Sequence, residues 1–431
     1  MNISYEKICK IKFIFYLFLN MITLINYNKY DKLIKYNKWI ILSISNPPNP
    51  SIFHLLKILN NWKIVVVSNN KEIDKDWKSL DKIIYLSLEK QNNLGYKILK
   101  YLNFDSPSAR KNIGYLYAIQ HGAKEIFEID ENIIIPYIND LNINYQNSNI
   151  CFGKRNDSSM INPYSYFKKN NLNFWPRGFR LSDIGKYANN KFYVLNPNNL
   201  LLKPLIYQGI INGFPDFDSI FLKTKILNQL QKINFINNYP LVYLPGNYIP
   251  INSKNTKYLY DIFPFLLLPT TVNERISDIW RGYIMQYFAW RYNGCIVYYI
   301  SKNYIEEGNL LNQSQFYRDK NLFFNIDKFL DILNINSNIE FNNATDLLFK
   351  IINDLITNEL LGRNEIKAYI SFFEDLSNVG YSFSSKIFNK ISYTFNNYIN
   401  SDSEFNYYFP SEPISILNNR NNNLIKIIDH Y

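Results

Sequence analysis

Four oxygen-bearing side chains, Glu128, Asp130, Glu131 and Asn132, crowd the end of a short apolar run formed by Ile126, Phe127 and Ile129. Crowded carboxylates repel one another unless a cation or hydrogen-bond donors lie among them. Oxygen ligands are also those that Mg²⁺ and Mn²⁺ prefer. The cluster therefore predicts a divalent metal site with Asp130 and Asn132 as ligands. The alternative interpretations are a solvated strand end or the cap of the next element.

A predicted helix over 107–121 precedes this cluster. Ser106 can cap it, Pro107 suits its first position because a missing N–H costs nothing there, and Gly122 ends it. Arg110 and Lys111 lie on its first turn, where the helix dipole also favours an anion. We therefore expect both cations, together with Glu128 and Asp130, to contact a phosphate-bearing ligand.

Three further segments have the continuous apolar pattern of strands buried on both faces, and they are Lys38–Ile44, Trp62–Asn69 and Lys82–Leu88. Helices are predicted over Ser51–Asn61 and Gln91–Asn103, which gives an α/β order with a mostly parallel central sheet. Ligands of such sheets bind beyond the carboxyl ends of the strands. We therefore expect Asn46 and Asn69 to contact a nucleoside and the acidic strand to hold its diphosphate. Neither a G-x-G-x-x-G fingerprint nor a P-loop is present.

The second half of this region contains further acids and arginines. Asp216 and Asp218 precede a predicted helix over 219–230, where either could cap the helix or face a sugar or acceptor. Arg177 lies in a Trp-Pro-Arg-Gly loop that is either an ordinary turn or a lid facing phosphate. Asp278 and Arg281 stand near the start of an aromatic helix and are the predicted catalytic pair, with Asp218 as a third candidate. Capping by Asp278 and an ion pair with Arg281 are the structural alternative.

Composition sets limits on partners and compartment. The chain has 431 residues, enough for one large domain or two to three smaller ones, and a formal net charge of +11. Its basic residues are dispersed among Asn, Ile and Tyr, without a nucleic-acid-binding motif, so no nucleic-acid partner is expected. Three isolated cysteines and three isolated histidines indicate neither a disulfide framework nor a zinc site.

The apolar segment 13–25 follows Lys7, Lys10 and Lys12. It is shorter than the roughly 20 residues that span a bilayer. A short signal anchor and an apolar helix packed on the domain both remain open.

Several long motifs, in order along the chain, resemble the STELLO-like glycosyltransferases. They are KDWKSLDKIIYLSLEKQNNLGYKI (75–98), SARKNIGYLYAIQHGAKEIFEIDEN (108–132), WPRGF (175–179), IYQGIINGFPDFDSIF (206–221), YLPGNYIPINSKNT (243–256) and SDIWRGYIMQYFAW (277–290). The resemblance implies a GT-A-like nucleotide-diphospho-sugar transferase fold, a nucleotide-sugar donor and Mn²⁺ or Mg²⁺ bound by a D-x-D motif. It also favours a type II Golgi membrane protein, the other expectation being a cytoplasmic one. Where relatives tend to have a run of aspartates, this chain has Glu128, Asp130, Glu131 and Asn132, which keeps oxygen ligands but removes charge.

The expected organisation is a leader over 1–37, a catalytic domain over 38–300 and a helical accessory region with a tail over 301–431. The expected function is metal-dependent transfer of a sugar to an unknown glycan, protein or lipid acceptor. If the reaction inverts the configuration at the sugar's anomeric carbon, Asp278 would accept the proton of the acceptor. The altered acidic cluster supports the alternative of a non-catalytic binding or scaffold protein. A nucleotidyltransferase is disfavoured because residues 44–53 lack the Gly and Lys of its usual loop.

Overall fold

A computed structural model describes residues 35–103, 106–142, 149–154, 160–167, 174–184, 191–223, 232–235, 239–305, 313–337, 343–383 and 406–408, with residues 339 and 341. The predicted leader and its segment 13–25 therefore lie outside the described residues, apart from 35–37. Strands of the described part are β1 (Lys38–Ile44), β2 (Lys63–Ser68), β3 (Ile83–Leu86), β4 (Glu125–Asp130), β5 (Ile150–Lys154), β6 (Lys191–Leu195), β7 (Lys203–Gly213), β8 (Leu241–Tyr243), β9 (Asn255–Leu259), β10 (Gly294–Ile305) and β11 (Asn406–Tyr408).

These strands form one sheet in the order β11-β6-β5-β8-β10-β7-β9-β4-β1-β2-β3. Strands β4, β1, β2 and β3 are parallel, and β7 is parallel to β10. Strand β9 separates the two groups and is antiparallel to both β4 and β7. Hence β1, β2, β4, β7 and β10 all point the same way, and their last residues define what we call the carboxyl edge.

The α/β fold with a large central sheet is confirmed. Parallel ladders contain most of the paired residues, while β5, β6, β8, β9 and β11 add antiparallel pairings. Strand β1 has the predicted bounds, because its buried apolar run ends at the polar turn beyond Ile44.

Helices of the described part are α1 (Pro50–Ile58), α2 (Asp74–Lys78), α3 (Leu88–Asn93), α4 (Lys111–Gln120), α5 (Pro163–Phe167), α6 (Ser219–Lys223), α7 (Glu274–Arg291), α8 (Gln313–Ser337), α9 (Ala344–Thr357) and α10 (Glu365–Asn378). Short 3₁₀ helices occupy Lys97–Tyr101, Ser108–Arg110, Ile138–Leu141, Leu181–Asp183, Pro197–Asn199 and Tyr260–Phe265.

The predicted helix over Gln91–Asn103 was wrong as a single element. It is divided into α3 and the 3₁₀ helix Lys97–Tyr101. Gly95 between them has a φ of +70° and Tyr96 is extended, so the chain leaves the helical region there.

Helix α4 lies directly on the sheet. A Cβ added to Gly114 would stand 2.7 Å from Ile41 Cγ2 on β1 and 3.1 Å from Val67 Cγ2 on β2. The missing side chain therefore permits a close approach of helix and sheet. Helix α4 runs in the opposite direction to β4, the strand that follows it. Its first residue, Lys111, therefore lies at the carboxyl edge.

The C-terminal helices are joined to the sheet domain. The predicted boundary after residue 300 falls inside β10, which continues to Ile305. Asp375 on α10 accepts hydrogen bonds from the backbone N–H groups of Lys97 and Ile98, both at 2.8 Å. Glu365 accepts from the backbone of Thr270 at 2.9 Å. These buried contacts tie α10 to the segments around residues 97–98 and 270, which precede the C-terminal helices in the chain.

Candidate active site

A buried ammonium lies beneath the carboxyl edge. Lys111 Nζ donates to Asp130 Oδ1 at 2.8 Å and to the backbone oxygen of Ser253 at 2.9 Å, and it lies 3.4 Å from Glu128 Oε1. Burial alone would lower the pKa of Lys111, but the carboxylates of Asp130 and Glu128 outweigh it and raise that pKa. Lys111 therefore stays protonated. Its side chain is inaccessible, whereas that of Asp130 is 34% exposed, so a ligand reaches this pair from the Asp130 side.

Glu128 lies on the same face of β4, one pleat deeper, because residues two apart share a face. Its carboxylate accepts from Tyr115 Oη at 2.6 Å, Tyr258 Oη at 2.9 Å and an Arg281 terminal nitrogen at 2.9 Å. Arg281 also donates to both tyrosines at 2.8 Å. All of these groups are fully buried. Glu128 and Arg281 thus form a closed ion pair that supports Lys111 from below.

Asp278, one turn inside α7, binds Arg177 through two parallel hydrogen bonds of 2.8 Å. Its Oδ2 also accepts from Ser253 N at 3.1 Å and Ser253 Oγ at 3.3 Å. Burial would raise the pKa of Asp278, but Arg177 outweighs it and the pKa is lowered. Since α7 begins at Glu274 and its cap is Asn273, Asp278 does not cap the helix. Ser253 therefore joins the Asp278 pair to Lys111.

Arg177 does not face a phosphate site, as the lid interpretation expected, because two carboxylates enclose it. Besides Asp278, its Nε donates to Asp216 Oδ2 at 3.1 Å. Asp216 also accepts from Lys254 Nζ at 2.9 Å, and these cations, opposing the effect of burial, hold the pKa of Asp216 well below its usual range. Lys254, whose side chain is 28% exposed, is the member of this cluster that solvent reaches.

Asp218 caps helix α6. Its Oδ1 accepts from Ile220 N at 2.8 Å, while its Oδ2 is buried without a hydrogen-bond partner. Burial, together with the nearby carboxylate of Asp319, raises the pKa of Asp218 to about 7. Asp319 itself is held by Arg275 through bonds of 2.6 and 2.7 Å. Of the two interpretations of Asp218, the contacts of its side chain therefore agree with capping.

The two predicted nucleoside contacts lie at the ends of β1 and β2. Asn46 Nδ2 donates to Glu131 Oε1 at 2.5 Å, which ties the loop after β1 to the turn after β4. Asn69 follows β2, and its Oδ1 is buried without a hydrogen-bond partner. A buried acceptor without a donor costs free energy, and a ligand N–H would relieve that cost.

Arg110 lies in the 3₁₀ turn that leads into α4. It is buried and donates to Gln91 Oε1 at 2.9 Å, while Gln91 Nε2 donates to the backbone oxygens of Ser68 at 2.7 Å and Leu86 at 2.8 Å. Burial lowers the pKa of Arg110. Arg110 therefore lies under the ends of β2 and β3, where its guanidinium pairs with Gln91.

The predicted metal ligands, Asp130 and Asn132, lie at the turn that ends β4, and Asn132 is exposed. Among the described residues no three His, Cys, Asp or Glu side chains gather into a metal-binding group. Mg²⁺ is commonly bound by one or two protein carboxylates together with substrate phosphates. Asp130 and Asn132 fit an ion that is shared with a diphosphate, and they do not fit one held by protein ligands alone.

The structure brings half of the ten predicted site residues together in two linked clusters. Lys111, Glu128, Asp130 and Arg281 form the first and Asp278 lies in the second, whereas the side chain of Asp218 bonds to Ile220 N.

The sequence interpretation missed Tyr115, Tyr258, Ser253 and Lys254. Tyr115 lies four residues after Lys111 on α4, so helical spacing could have placed both on one face. No comparable local signal marks Ser253, because its partners are 25 and 142 residues away.

The chain is similar in sequence to a known family and to two curated proteins. Residues 275–408 match the family model described as STELLO glycosyltransferases. Two Arabidopsis thaliana proteins, named "Probable glycosyltransferase STELLO1" and "Probable glycosyltransferase STELLO2", are each 32% identical to this chain over 360 residues. The similarity covers 80% of this chain and 45% of each relative, so the chain spans less than half the length of the curated relatives it matches.

In the part of the chain that the structure describes, no helix is both long enough and apolar enough to cross a membrane. The sequence similarity extends on both sides of the Lys111 and Asp278 clusters and agrees with the resemblance of the motifs at residues 75–290. The chain is therefore similar to the STELLO glycosyltransferases, and the resemblance expected from its sequence is confirmed.

Proposed function

We propose that this protein transfers a sugar from a nucleotide-diphosphate donor to an acceptor, and that the donor binds along the carboxyl edge. The observation that carries this proposal is the pair formed by Lys111 and Asp130. It sets a buried ammonium, whose pKa the neighbouring carboxylates raise, and a partly exposed carboxylate at the carboxyl end of a parallel sheet, where ligands of such sheets bind.

The nucleoside is proposed to lie over the ends of β1 and β2, near Asn46 and Asn69. The unpartnered Oδ1 of Asn69 supports this placement, since a base or ribose donor would satisfy it. The diphosphate is then directed toward the end of β4. Arg110 and Lys111 lie below this path and supply positive charge.

Departure of a nucleoside diphosphate places negative charge on the leaving oxygen, and fixed cations in a dry environment stabilise such charge strongly. Lys111 is fixed by three oxygen-bearing partners, so little reorganisation is needed when that charge develops. A divalent ion, Mn²⁺ or Mg²⁺, held by Asp130 and Asn132 together with the diphosphate would add further neutralisation. Asn132 contributes a neutral oxygen, so this ion would bind more weakly than at a fully acidic site.

Asp278 and Arg281 are proposed to act as positioning residues. Arg281 holds Glu128 beside Lys111, and Asp278 holds Ser253, whose backbone oxygen accepts from Lys111. Both side chains are buried and paired with charged partners. This geometry favours an indirect role for Asp278 over direct proton transfer.

The acceptor is proposed to be a glycan, a protein or a lipid, and the compartment to be the secretory pathway, with membrane attachment through residues 13–25. These proposals rest on the resemblance and on the sequence of the leader. A non-catalytic binding or scaffold role is the second candidate. Asn132 in place of an acid and the ion pair that occupies Asp130 Oδ1 favour it, because both weaken metal binding.

The experiment is calorimetric titration of the protein with uridine and guanosine diphosphate sugars, with and without Mn²⁺. We expect Mn²⁺ to tighten donor binding, Asp130→Ala to remove this effect, and Asn132→Asp to enhance it. Glu125→Ala is the matched control, because Glu125 is a partly exposed acid at the opposite end of β4. Equal affinity with and without Mn²⁺ would refute the metal site. Tight donor binding without sugar transfer or donor hydrolysis would favour the non-catalytic alternative.

A further inference from the structure

A pocket of about 390 Å³ opens at the carboxyl ends of β7 and β10. The donor site proposed above does not include it. Its lining combines apolar surface with two lysines and two asparagines, and is formed by Asn212, Gly213, Lys232, Asn234, Lys302, Tyr304 and Ile305.

The charge of this pocket is not compensated within the described part of the protein. Lys232 and Lys302 are both exposed, and no carboxylate among the described residues pairs with either ammonium. Lys302 Nζ lies over the ring of Tyr137, 5.3 Å from the ring centroid. None of the described lining residues is acidic. Two like charges around one concave surface attract an anion.

Backbone pairing fixes the wall that carries Lys232. Gly213 and Ile233 exchange backbone hydrogen bonds of 2.8 and 2.9 Å, which attach this segment to the end of β7. Asn212 Oδ1 accepts from Phe235 N at 3.0 Å, while its Nδ2 donates to Ser301 O on β10 at 2.7 Å. The backbone of Lys302 lies on β10 and that of Lys232 is attached to the end of β7, so only the two lysine side chains have to be ordered when a ligand arrives.

The pocket adjoins the proposed metal and diphosphate site. Ile134 and Tyr304 exchange backbone hydrogen bonds of 2.9 and 3.1 Å. Ile134 follows Asn132 by two residues, so their Cα atoms are at most about 7.6 Å apart. Strand β7 is two positions from β4 in the sheet, which corresponds to about 10 Å. An acceptor bound here would lie one or two sugar widths from the donor's diphosphate.

We propose that this pocket is the acceptor subsite and that the acceptor carries negative charge, as a carboxylate, sulfate or phosphate ester, which Lys232 and Lys302 bind. This inference rests on the proposed function, because it takes the donor to lie at Asp130. It narrows the acceptor to an anionic glycan or glycan-like group. Charge-assisted hydrogen bonds from both lysines would supply the selectivity.

The test uses trigalacturonic acid and its fully methyl-esterified, neutral form, which differ in charge and little in shape. Glucose 6-phosphate and glucose form a second pair that separates phosphate from carboxylate recognition. Binding is measured by titration calorimetry on the full chain, alone and with uridine or guanosine diphosphate sugar present. We expect at least one charged probe to bind at least about tenfold more tightly than its neutral partner, and higher salt to weaken it.

The double variant Lys232→Gln/Lys302→Gln should remove most of this preference while leaving the melting temperature and donor affinity unchanged, because both side chains are exposed. Lys367→Gln, an exposed lysine on α10, is the control for an unspecific loss of charge. Equal affinity for charged and neutral probes, no binding of either charged probe, or an equal loss in the control would overturn the inference. Absence of donor binding in the wild type would instead refute the proposed function.

Discussion

Replacing Asp278 by Asn tests whether this carboxylate positions the site or exchanges a proton with substrate. The substitution keeps the shape of the side chain and removes its charge. In the structure it would leave Arg177 buried opposite an amide whose NH₂ group cannot accept its hydrogen bonds. We therefore expect Asp278→Asn to lower the free energy of unfolding.

The size of this loss follows from the partners. Breaking a buried ion pair from one side costs about 3–5 kcal/mol, because the remaining charge is stranded. Arg177 keeps a second carboxylate, Asp216, at 2.9 Å, so we expect the lower end of that range, about 3 kcal/mol. A proton-transfer residue with access to substrate would behave differently. Its Asn variant would keep its stability and lose turnover by about 10²–10⁴-fold.

The assay is urea unfolding followed by tryptophan fluorescence, with donor affinity and transfer rate measured on the same samples. Glu274→Gln is the matched control, because Glu274 lies on the same helix as Asp278. This substitution breaks an exposed ion pair with Arg318 of α8 and should cost about 0–1 kcal/mol of stability. In a double-mutant cycle with Arg177→Met, the double variant should lose less free energy of unfolding than the sum of the two single variants, by more than about 1 kcal/mol.

One pattern of results would refute the positioning role. If Asp278→Asn unfolds at the same urea concentration as the wild type and its coupling to Arg177 is absent, the paired geometry does not describe the protein in solution. If the same variant also loses turnover with donor affinity intact, Asp278 belongs to the chemistry of transfer.

Two further perturbations follow from single side chains. Burial raises the pKa of Asp218 to about 7, well above its value in an unfolded chain, so its contribution to stability is fully present below about pH 4 and is lost as the pH rises through 7. The variant Asp218→Asn should therefore become more stable than the wild type between pH 5 and 8, by roughly 4 kcal/mol at most. If urea unfolding gave the two proteins parallel profiles of stability against pH, this prediction would be contradicted. Gly114→Ala places a Cβ 2.7 Å from Ile41 Cγ2. The overpacking cost of about 1–3 kcal/mol should exceed the helix-propensity gain of about 1 kcal/mol, so we expect the variant to be less stable than the wild type in urea unfolding. A more stable alanine variant would show that α4 can move off the sheet.

The sequence alone determined the edge of the sheet at which the site lies. Continuous apolar runs mark β1, β2 and β4 as buried parallel strands, and the polar residues that follow each run must share one edge because parallel strands end together. The helix that carries Lys111 was predicted from local chemistry over 107–121, and the structure divides this range into the 3₁₀ helix Ser108–Arg110 and α4 (Lys111–Gln120). Ser106 Oγ accepts from Ala109 N at 3.4 Å, so Ser106 caps the 3₁₀ turn and not α4 itself. Periodicity and capping are local properties, so they could be predicted without knowledge of the fold.

The partner of each charge was decided only by the tertiary structure. Glu128 and Asp130 look equivalent in sequence, yet Glu128 pairs with Arg281, 153 residues away, and Asp130 remains at the surface. The free energy of a buried charge depends on which opposite charge packing brings within about 3 Å of it. Spacing along the chain carries no information about a partner on another element, so the fold determines whether a carboxylate supports the site or faces the ligand.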